Sequence, residues 1–378
     1  MKICMLTSTH GPGDGRIFQK EAKSLAKEHD VTIIAPSNES GSSITEGIRI
    51  VTVKRPDSTA LHPITLLRLL RACLAEDADV YHCHEPDALL IGVLAKYLKG
   101  KRVIYDIHEH WPSEIPFDLR IPNGSLIQRA LSAFVSSVEI ALARRAESTF
   151  AVSESVAARF WERGFEPVIL SNYSIADLDI PYSPNRNGRN LMFMAGNMQS
   201  FHGVGECIEA VSRVRERYPD VSLTLVGNVR EDLSEYIGGS GRNGFITSTG
   251  FLPYREMYEK LSEGTAGLLV FQPTYYNISI GLPNKLFDYM LLGLPVIASD
   301  LPEIRSVVGS ADCGILVDPR SVSEIADAIT YLFDHPEEAR RMGENGRRAV
   351  LETYNWSRME SYLLQTYRNL DGAASASK

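Results

Sequence analysis

GLPNKLFDYMLLGLPVIAS, residues 281–299, is bracketed by two Gly-Leu-Pro triplets and closes on a short apolar run. Pro283 suits the first turn of a helix, where a missing N–H loses nothing. Gly293 suits the position just past a helix end, and Pro295 stops any continuation. The stretch predicts a helix over 283–292. PVIAS (295–299) then reads as a short buried strand. A helix feeding directly into such a strand is half of a parallel α/β unit. Lys285 falls in the first turn, where a cation opposes the helix dipole. That placement points to an anion, such as a phosphate, at the helix start. Asp288, one turn on, is an acceptor suited to the paired hydroxyls of a ribose. The plain alternative, a solvated lysine and a surface acid, weighs about the same on these residues alone.

The same alternation runs through the chain. KICMLTS (2–8), VTIIAP (31–36), IRIVTVK (48–54), DVYHCH (79–84), RVIYDIH (102–108) and STFAVS (148–153) read as buried parallel strands. Helical patterns, such as 17–29 and 87–99, separate most of them. A boundary follows PVILSN (167–172), and SPNRNGRN (183–190) reads as a polar linker. The alternation then restarts with strands at 190–197, 221–228, 244–250, 266–271, 295–299 and 314–318. Three helical stretches, 321–334, 336–353 and 356–370, close the chain. The predicted fold class is α/β, with two doubly wound Rossmann-like domains facing across a cleft. The expected division is 1–178 plus 357–372, then 188–356, with 373–378 a flexible tail.

Composition narrows the function. With 378 residues the chain is long enough for two α/β cores. A net charge of −8 and a pI near 5.7 disfavour a general nucleic-acid binder. Cys4, Cys73, Cys207 and Cys313 lie in apolar stretches, and no cysteine has metal-site spacing. Buried free thiols in a reducing compartment follow. No signal peptide and no run of ~18 uninterrupted apolar residues is visible. The expected location is cytoplasmic. The basic stretches 66–74 and 96–102 leave a peripheral contact with an anionic membrane open, though ordinary helix faces are the simpler reading.

Candidate ligand groups fall where strands end. THGPGDGR (9–16) carries Gly11, Gly13 and Gly15 between the first strand and helix, a place suited to phosphate. It is neither the G-x-G-x-x-G dinucleotide fingerprint nor a P-loop. His82 and His84, then His108 and His110, follow two strands beside acids. His-x-His spacing puts two rings on one face, as a zinc site would need. His108 as a polar site residue outweighs a metal here, and no metal ligand is assigned. AGNMQSFHGVGE (195–206) places Asn197 and His202 at the equivalent junction of the second half. VGN (226–228) ends the next strand with Asn228.

Together these residues resemble the retaining glycosyltransferases of group 1, or family GT4, with the GT-B fold. DGRIFQKEAKSLA, YDIHEHWP, FAVSESVAARF and YNWSRMESYLLQTYRNL are similar to its loop, histidine, pre-linker and terminal-helix segments. GLPNKLFDYMLLGLPVIAS is similar to its donor-binding helix, in the PNKLFEYM-type variant. The resemblance implies His108 and Lys285 as catalytic. It implies donor binding by Gly13, Gly15, Asn197, His202, Asn228, Ser279, Asn284, Lys285 and Asp288. Asp288 occupies the ribose glutamate position, one methylene shorter. Ile280 replaces the glutamate that contacts the donor sugar. Asn197 and His202 stand where the family has the Arg and Lys of its diphosphate clamp. Lys285, the loop glycines, the helix N-terminus and a protonated His202 are the substitutes available.

The implied activity is metal-independent transfer of a sugar, with retention, from a nucleotide diphosphate (UDP by default) to an acceptor hydroxyl. The acceptor would be a glycan, a lipid-linked or a small molecule; no cofactor and no nucleic acid are expected. The alternative is an impaired transferase-like subunit that activates a partner enzyme. A same-fold epimerase finds no supporting motif, and a nicotinamide dehydrogenase lacks its fingerprint.

Overall fold

The computed structural model describes residues 1–376 apart from 177–179, 181, 184–185, 187, 231–232 and 234–243; at 59 and 373–376 it describes the backbone only. The chain divides into two compact units, Met1–Asn172 with Trp356–Lys378, and Tyr173–Asn355. Parts of the expected linker (184–185 and 187), the expected boundary at 178, and residues 377–378 lie outside the described residues.

The first unit holds strands β1 (Lys2–Leu6), β2 (Asp30–Ser37), β3 (Gly41–Thr45), β4 (Ile48–Lys54), β5 (Val80–Cys83), β6 (Arg102–Ile107), β7 (Ser148–Ala151) and β8 (Val168–Ile169). Their order is β3-β4-β2-β1-β5-β6-β7-β8. All neighbours pair in parallel except β3 with β4. Ile3, Cys4, Met5 and Leu6 are all buried, as a strand covered on both faces requires. Strand β3 was not foreseen, because GSSIT is polar and exposed along its whole length. It is an antiparallel edge strand, turned by Glu46 and Gly47, both at positive φ.

The second unit holds β9 (Asn190–Met198), β10 (Ser222–Val229), β11 (Ile246–Ser248), β12 (Ala266–Leu269), β13 (Val296–Ser299) and β14 (Gly314–Val317). This sheet is parallel throughout, in the order β11-β10-β9-β12-β13-β14. Alternate residues of β9 enter opposite cores. Leu191, Phe193 and Ala195 pack with the helices Val204–Val214 and Val322–Asp334. Met192 and Met194 pack with the helix Asn284–Leu291. Each such large apolar side chain contributes about 1.5–3 kcal/mol on burial. That helix starts one residue later than the sequence predicts, with Pro283 as the flanking cap in extended conformation. Six of its eight residues are buried, and the Tyr289 hydroxyl accepts from the Met194 N–H at 2.8 Å, fixing helix to sheet.

In both sheets the strand order reverses once between crossover-connected neighbours, at β1/β5 and at β9/β12. Such reversals open a crevice at the carboxyl ends of the strands, where ligands of this architecture bind.

Two helices lengthen the picture. The last one runs Trp356–Ala376, so the expected tail is helical to Ala376, as its alanines allow. It lies in the first unit, and Trp356 Nε1 donates to Ser24 Oγ at 2.9 Å. Helix Leu126–Ala143 escaped the sequence reading because polar residues interrupt its apolar ones. It is nevertheless the one helix among the described residues long and apolar enough to cross a membrane. All five cysteines are buried free thiols.

Candidate active site

In the first unit a buried polar cluster lies at the carboxyl ends of β5 and β6 and on the helix that follows β1. The loop after β1 leads into a helix whose first turns are wide. Gln19 N bonds Asp14 O and Glu21 N bonds Arg16 O, a five-residue spacing. This π geometry stacks residues five apart, so Arg16 and Glu21 meet, Nε to Oε1 at 2.7 Å. The Arg16 guanidinium also forks onto Asp106, at 2.9 Å to each oxygen from Nη2, and donates to Leu170 O at 2.8 Å. Asp106 in turn holds His108 Nε2 at 2.8 Å. His84 Nδ1 lies 3.2 Å from His108 Nε2, and His82 stacks on His84 at 4.7 Å. The Tyr367 hydroxyl, from the terminal helix, reaches His82 Nδ1 at 2.9 Å.

Burial sets the charges. It pushes the Glu21 carboxyl up, and the Asp106 charge adds to that. Burial would also raise Asp106, but Arg16 and His108 hold it well below the usual range. Burial lowers His82, His84 and His108, so these imidazoles are neutral. Glu21, His84, Asp106 and His108 offer ligand atoms within 4.8 Å of one another, as a metal site would. Arg16 already pairs both carboxylates, so this donor set does not fit an ion without displacing the guanidinium.

The glycine loop differs from expectation. Gly11, Gly13 and Gly15 have open space around them, and none has positive φ. Asp14 Oδ1 accepts from Arg16 N at 2.8 Å and Ile17 N at 2.9 Å. The helix amides proposed for phosphate are therefore capped by this chain's own carboxylate. His10 lies between Asp14, at 3.2 Å, and Glu85, at 3.6 Å. Burial alone would lower its pKa, but the bond to Asp14 and the charge of Glu85 lift it to about 9.

In the second unit a cavity of about 430 Å³ opens at the strand ends. Met194, Gly196, Val226, Gly227, Phe251, Leu252, Met257, Pro283, Asn284 and Lys285 line it. Gly227 sits at φ +121, where a Cβ would meet Ala195 O at 1.8 Å. Only glycine lets β9 and β10 approach this closely at their tips. Beside it Asn228 Nδ2 donates to Asn197 Oδ1 at 3.3 Å, and Asn228 Oδ1 accepts from Phe251 N at 3.1 Å. The two asparagines thus order the rim. Ser279 bonds back onto its own helix, at Tyr275 O.

Lys285 is half-buried, and its Nζ lies 4.8 Å from the Phe271 ring centroid. Among the described residues it forms no hydrogen bond or ion pair. Burial pushes it down to about 8, against the opposing pull of Asp288. The His202 ring lies 5.2 Å from the same Phe271 ring. Burial, with the Lys285 charge, pushes His202 down to about 3. Without a bound anion the His202 ring is therefore neutral, not the protonated clamp expected. Its Nδ1 accepts from Gln199 N at 3.0 Å, which puts the remaining proton on Nε2. It is a neutral donor beside a cation. Gly203, the cap of the next helix at φ +74, brings this loop against Val270 O, which a Cβ would meet at 1.9 Å.

Asp288 is buried beneath this surface. Its Oδ1 accepts from Ser174 Oγ at 2.6 Å and from the Tyr258 hydroxyl at 2.5 Å. The residues that sequence reading missed are Arg16, Glu21, His10 and Tyr367 in one unit, and Phe271, Tyr258 and Phe251 in the other. A charged pair five apart in DGRIFQKEA gives no signal under α-helical spacing, and the aromatics look like ordinary core.

Comparison with known proteins gives the family. The family model "Glycosyl transferases group 1" matches residues 177–349, and "Glycosyltransferase Family 4" matches residues 13–172. The chain is 25% identical over 374 residues to phosphatidyl-myo-inositol mannosyltransferase of Mycobacterium tuberculosis, covering 96% of this chain and 94% of that one. Its fold is similar to sucrose-phosphate synthase from Thermosynechococcus elongatus, with TM-score 0.77 at 17% identity over 98% of this chain and 99% of that one. It is also similar to HepE of Anabaena in complex with UDP-glucose, with TM-score 0.71 at 14% identity over 98% of this chain and all of that one. Two parallel α/β units, sites at their strand-order reversals and two consecutive family matches agree: the chain belongs to the GT4, group 1 glycosyltransferases of the GT-B fold.

Proposed function

We propose that this glycosyltransferase moves a sugar from a nucleotide diphosphate, UDP foremost, to an acceptor hydroxyl, with retention and without a metal ion. The observation that carries this reading is Lys285: a half-buried cation with a depressed pKa, no carboxylate partner among the described residues, and a cavity of about 430 Å³ beside it. An ammonium held in that state gains a partner when a diphosphate arrives, which fits the missing Arg and Lys of the family clamp. The His202 Nε2–H would add a neutral hydrogen bond. The base would enter the cavity between Gly196, Gly227, Phe251 and Leu252. The resemblance assigns the ribose to Asp288, which is buried, does not line the cavity, and has its Oδ1 bonded to Tyr258 and Ser174. UDP is favoured because HepE, of similar fold, was solved with UDP-glucose.

In this reading the bond from the sugar C1 to the diphosphate oxygen breaks. A bond from C1 to the acceptor oxygen forms on the same face. The acceptor proton passes to the leaving phosphate, and Lys285 stabilises the charge that develops there. His108, held by Asp106, is the residue that the family resemblance implies for the donor sugar. The test is calorimetric titration with UDP, GDP, ADP and dTDP, with and without EDTA. Tight binding of one, unchanged by EDTA, supports the reading. Binding that needs a divalent ion contradicts it, and binding of none returns the chain to the role of an activating subunit.

A further inference from the structure

Helix Leu126–Ala143 is apolar on both sides. Its inner side meets the first unit through Val135, Ile140 and Ala143, with Glu139 buried against the Tyr105 hydroxyl at 2.7 Å. Its outer side carries Leu126, Ile127, Ala130, Ala133, Phe134, Ser137, Val138 and Ala141, all exposed. These positions repeat at three and four, one continuous stripe of an α-helix. Leu126 is 81% exposed, Ile127 69% and Phe134 65%. A surface helix of a water-soluble domain carries polar residues on that stripe; here the only polar group is one serine. Only 22% of the helix is buried, so it lies on the unit rather than inside it. The neighbouring helix Pro86–Lys99 packs against it and exposes a second stripe, Leu90, Leu94, Tyr97 and Leu98.

The charges around the stripe identify its occupant. Residues 118–147 hold four arginines, at 120, 129, 144 and 145, and three acids: Glu139, which is fully buried, Glu147, which pairs with Lys96, and Asp118. All four arginines are exposed, in a chain whose net charge is −8. A second copy docked on the same face would set these arginines against their own equivalents. An anionic bilayer complements both the stripe and its charge. The basic stretch 96–102 does not serve instead, since Lys96 pairs with Glu147 at 2.6 Å and Lys101 with Asp77 at 3.2 Å.

We propose that the outer face of helix Leu126–Ala143 docks this protein on an anionic membrane surface, lying in the interface without spanning it. The helix and His108 belong to the same unit, so docking brings the unit that holds the His108 cluster to the bilayer.

The experiment is co-sedimentation of the full chain with vesicles of phosphatidylcholine alone or with phosphatidylglycerol added, at low and high salt. Binding to the anionic vesicles only, weakened by salt, is the expected result. Arg129→Gln should weaken it about fivefold, the worth of one basic residue near such a surface. Ile127→Glu with Phe134→Glu should abolish it, with the unfolding midpoint and UDP titration unchanged; neither residue touches the donor cavity. Equal binding to both vesicles, or full binding by the double variant, overturns the proposal. So does a lipid-free dimer, seen by sedimentation, that the double variant dissociates. None of these results depends on transferase activity.

Discussion

Arg16 in the first unit and Lys285 in the second both lie at the carboxyl end of their sheet, and the two cations are treated oppositely. Arg16 is almost wholly buried and faces two carboxylates, Glu21 and Asp106. Lys285 is half-buried, sits on the Phe271 ring, and faces no carboxylate among the described residues at ion-pair distance. The first cation is already neutralised, so it holds neighbouring groups in place. The second is left short of a partner, so it is set to receive one. Both are costly to bury; only the second keeps that cost available to a ligand.

The largest effect should come from breaking the neutralised side. Arg16→Met leaves Asp106 buried without its counter-charge and Glu21 without its partner. A loss of about 3–5 kcal/mol in urea unfolding of the full chain is expected. A loss under 1 kcal/mol would mean that Arg16 is not structural and that the contrast fails. Next, Lys285→Ala should weaken UDP binding by about 2–3 kcal/mol, the worth of a charge-assisted hydrogen bond. Calorimetry reads the affinity, and the unfolding midpoint at pH 7 should not fall, since a poorly solvated charge has been removed. A stability loss with unchanged affinity would make Lys285 a second Arg16.

Asp288→Ala sharpens the comparison at a smaller scale. It leaves the Ser174 and Tyr258 hydroxyls without their acceptor, at about 1–2 kcal/mol of stability. UDP and UDP-sugar should both bind more weakly; weakening of the UDP-sugar alone would contradict the ribose role. The smallest effect is expected at His202, a neutral donor. His202→Ala should weaken UDP binding by about 1 kcal/mol. With the free ring titrating near 3, the apo protein should show no proton uptake by His202 between pH 5 and 7. Imidazole NMR shifts showing a charged ring at pH 6 would restore the protonated clamp.

Most of the buried strands were legible to within a few residues because they are short apolar runs, and the stop of the Asn284–Leu291 helix is written in Gly and Pro. Strand β3 was not, since its five exposed residues have no buried side to impose alternation. The cavity-lining Lys285 was legible because a cation in a first helical turn breaks a local rule. Arg16 and Glu21 were hidden by the π turn, which joins residues at a spacing that sequence patterns do not weigh. The outer stripe of Leu126–Ala143 was hidden for another reason. Its serines and Arg129 break up the apolar residues in sequence, and only the fold reports the helix and the apolar side it leaves uncovered.

The central claim is that Lys285 waits for the diphosphate as a cation of depressed pKa. Its most direct test is the affinity for UDP measured from pH 7 to 10. The last ionisation of a phosphate group lies at about 6, below this window. Lys285 titrates near 8 in the free protein, and diphosphate binding favours its charged form. Affinity should therefore hold below about pH 8 and fall by about tenfold per pH unit above it, until the raised pKa of the complex is passed. The Lys285→Ala protein should bind weakly and without that slope. A flat wild-type profile to pH 10, or the same slope in Lys285→Ala, would contradict the account.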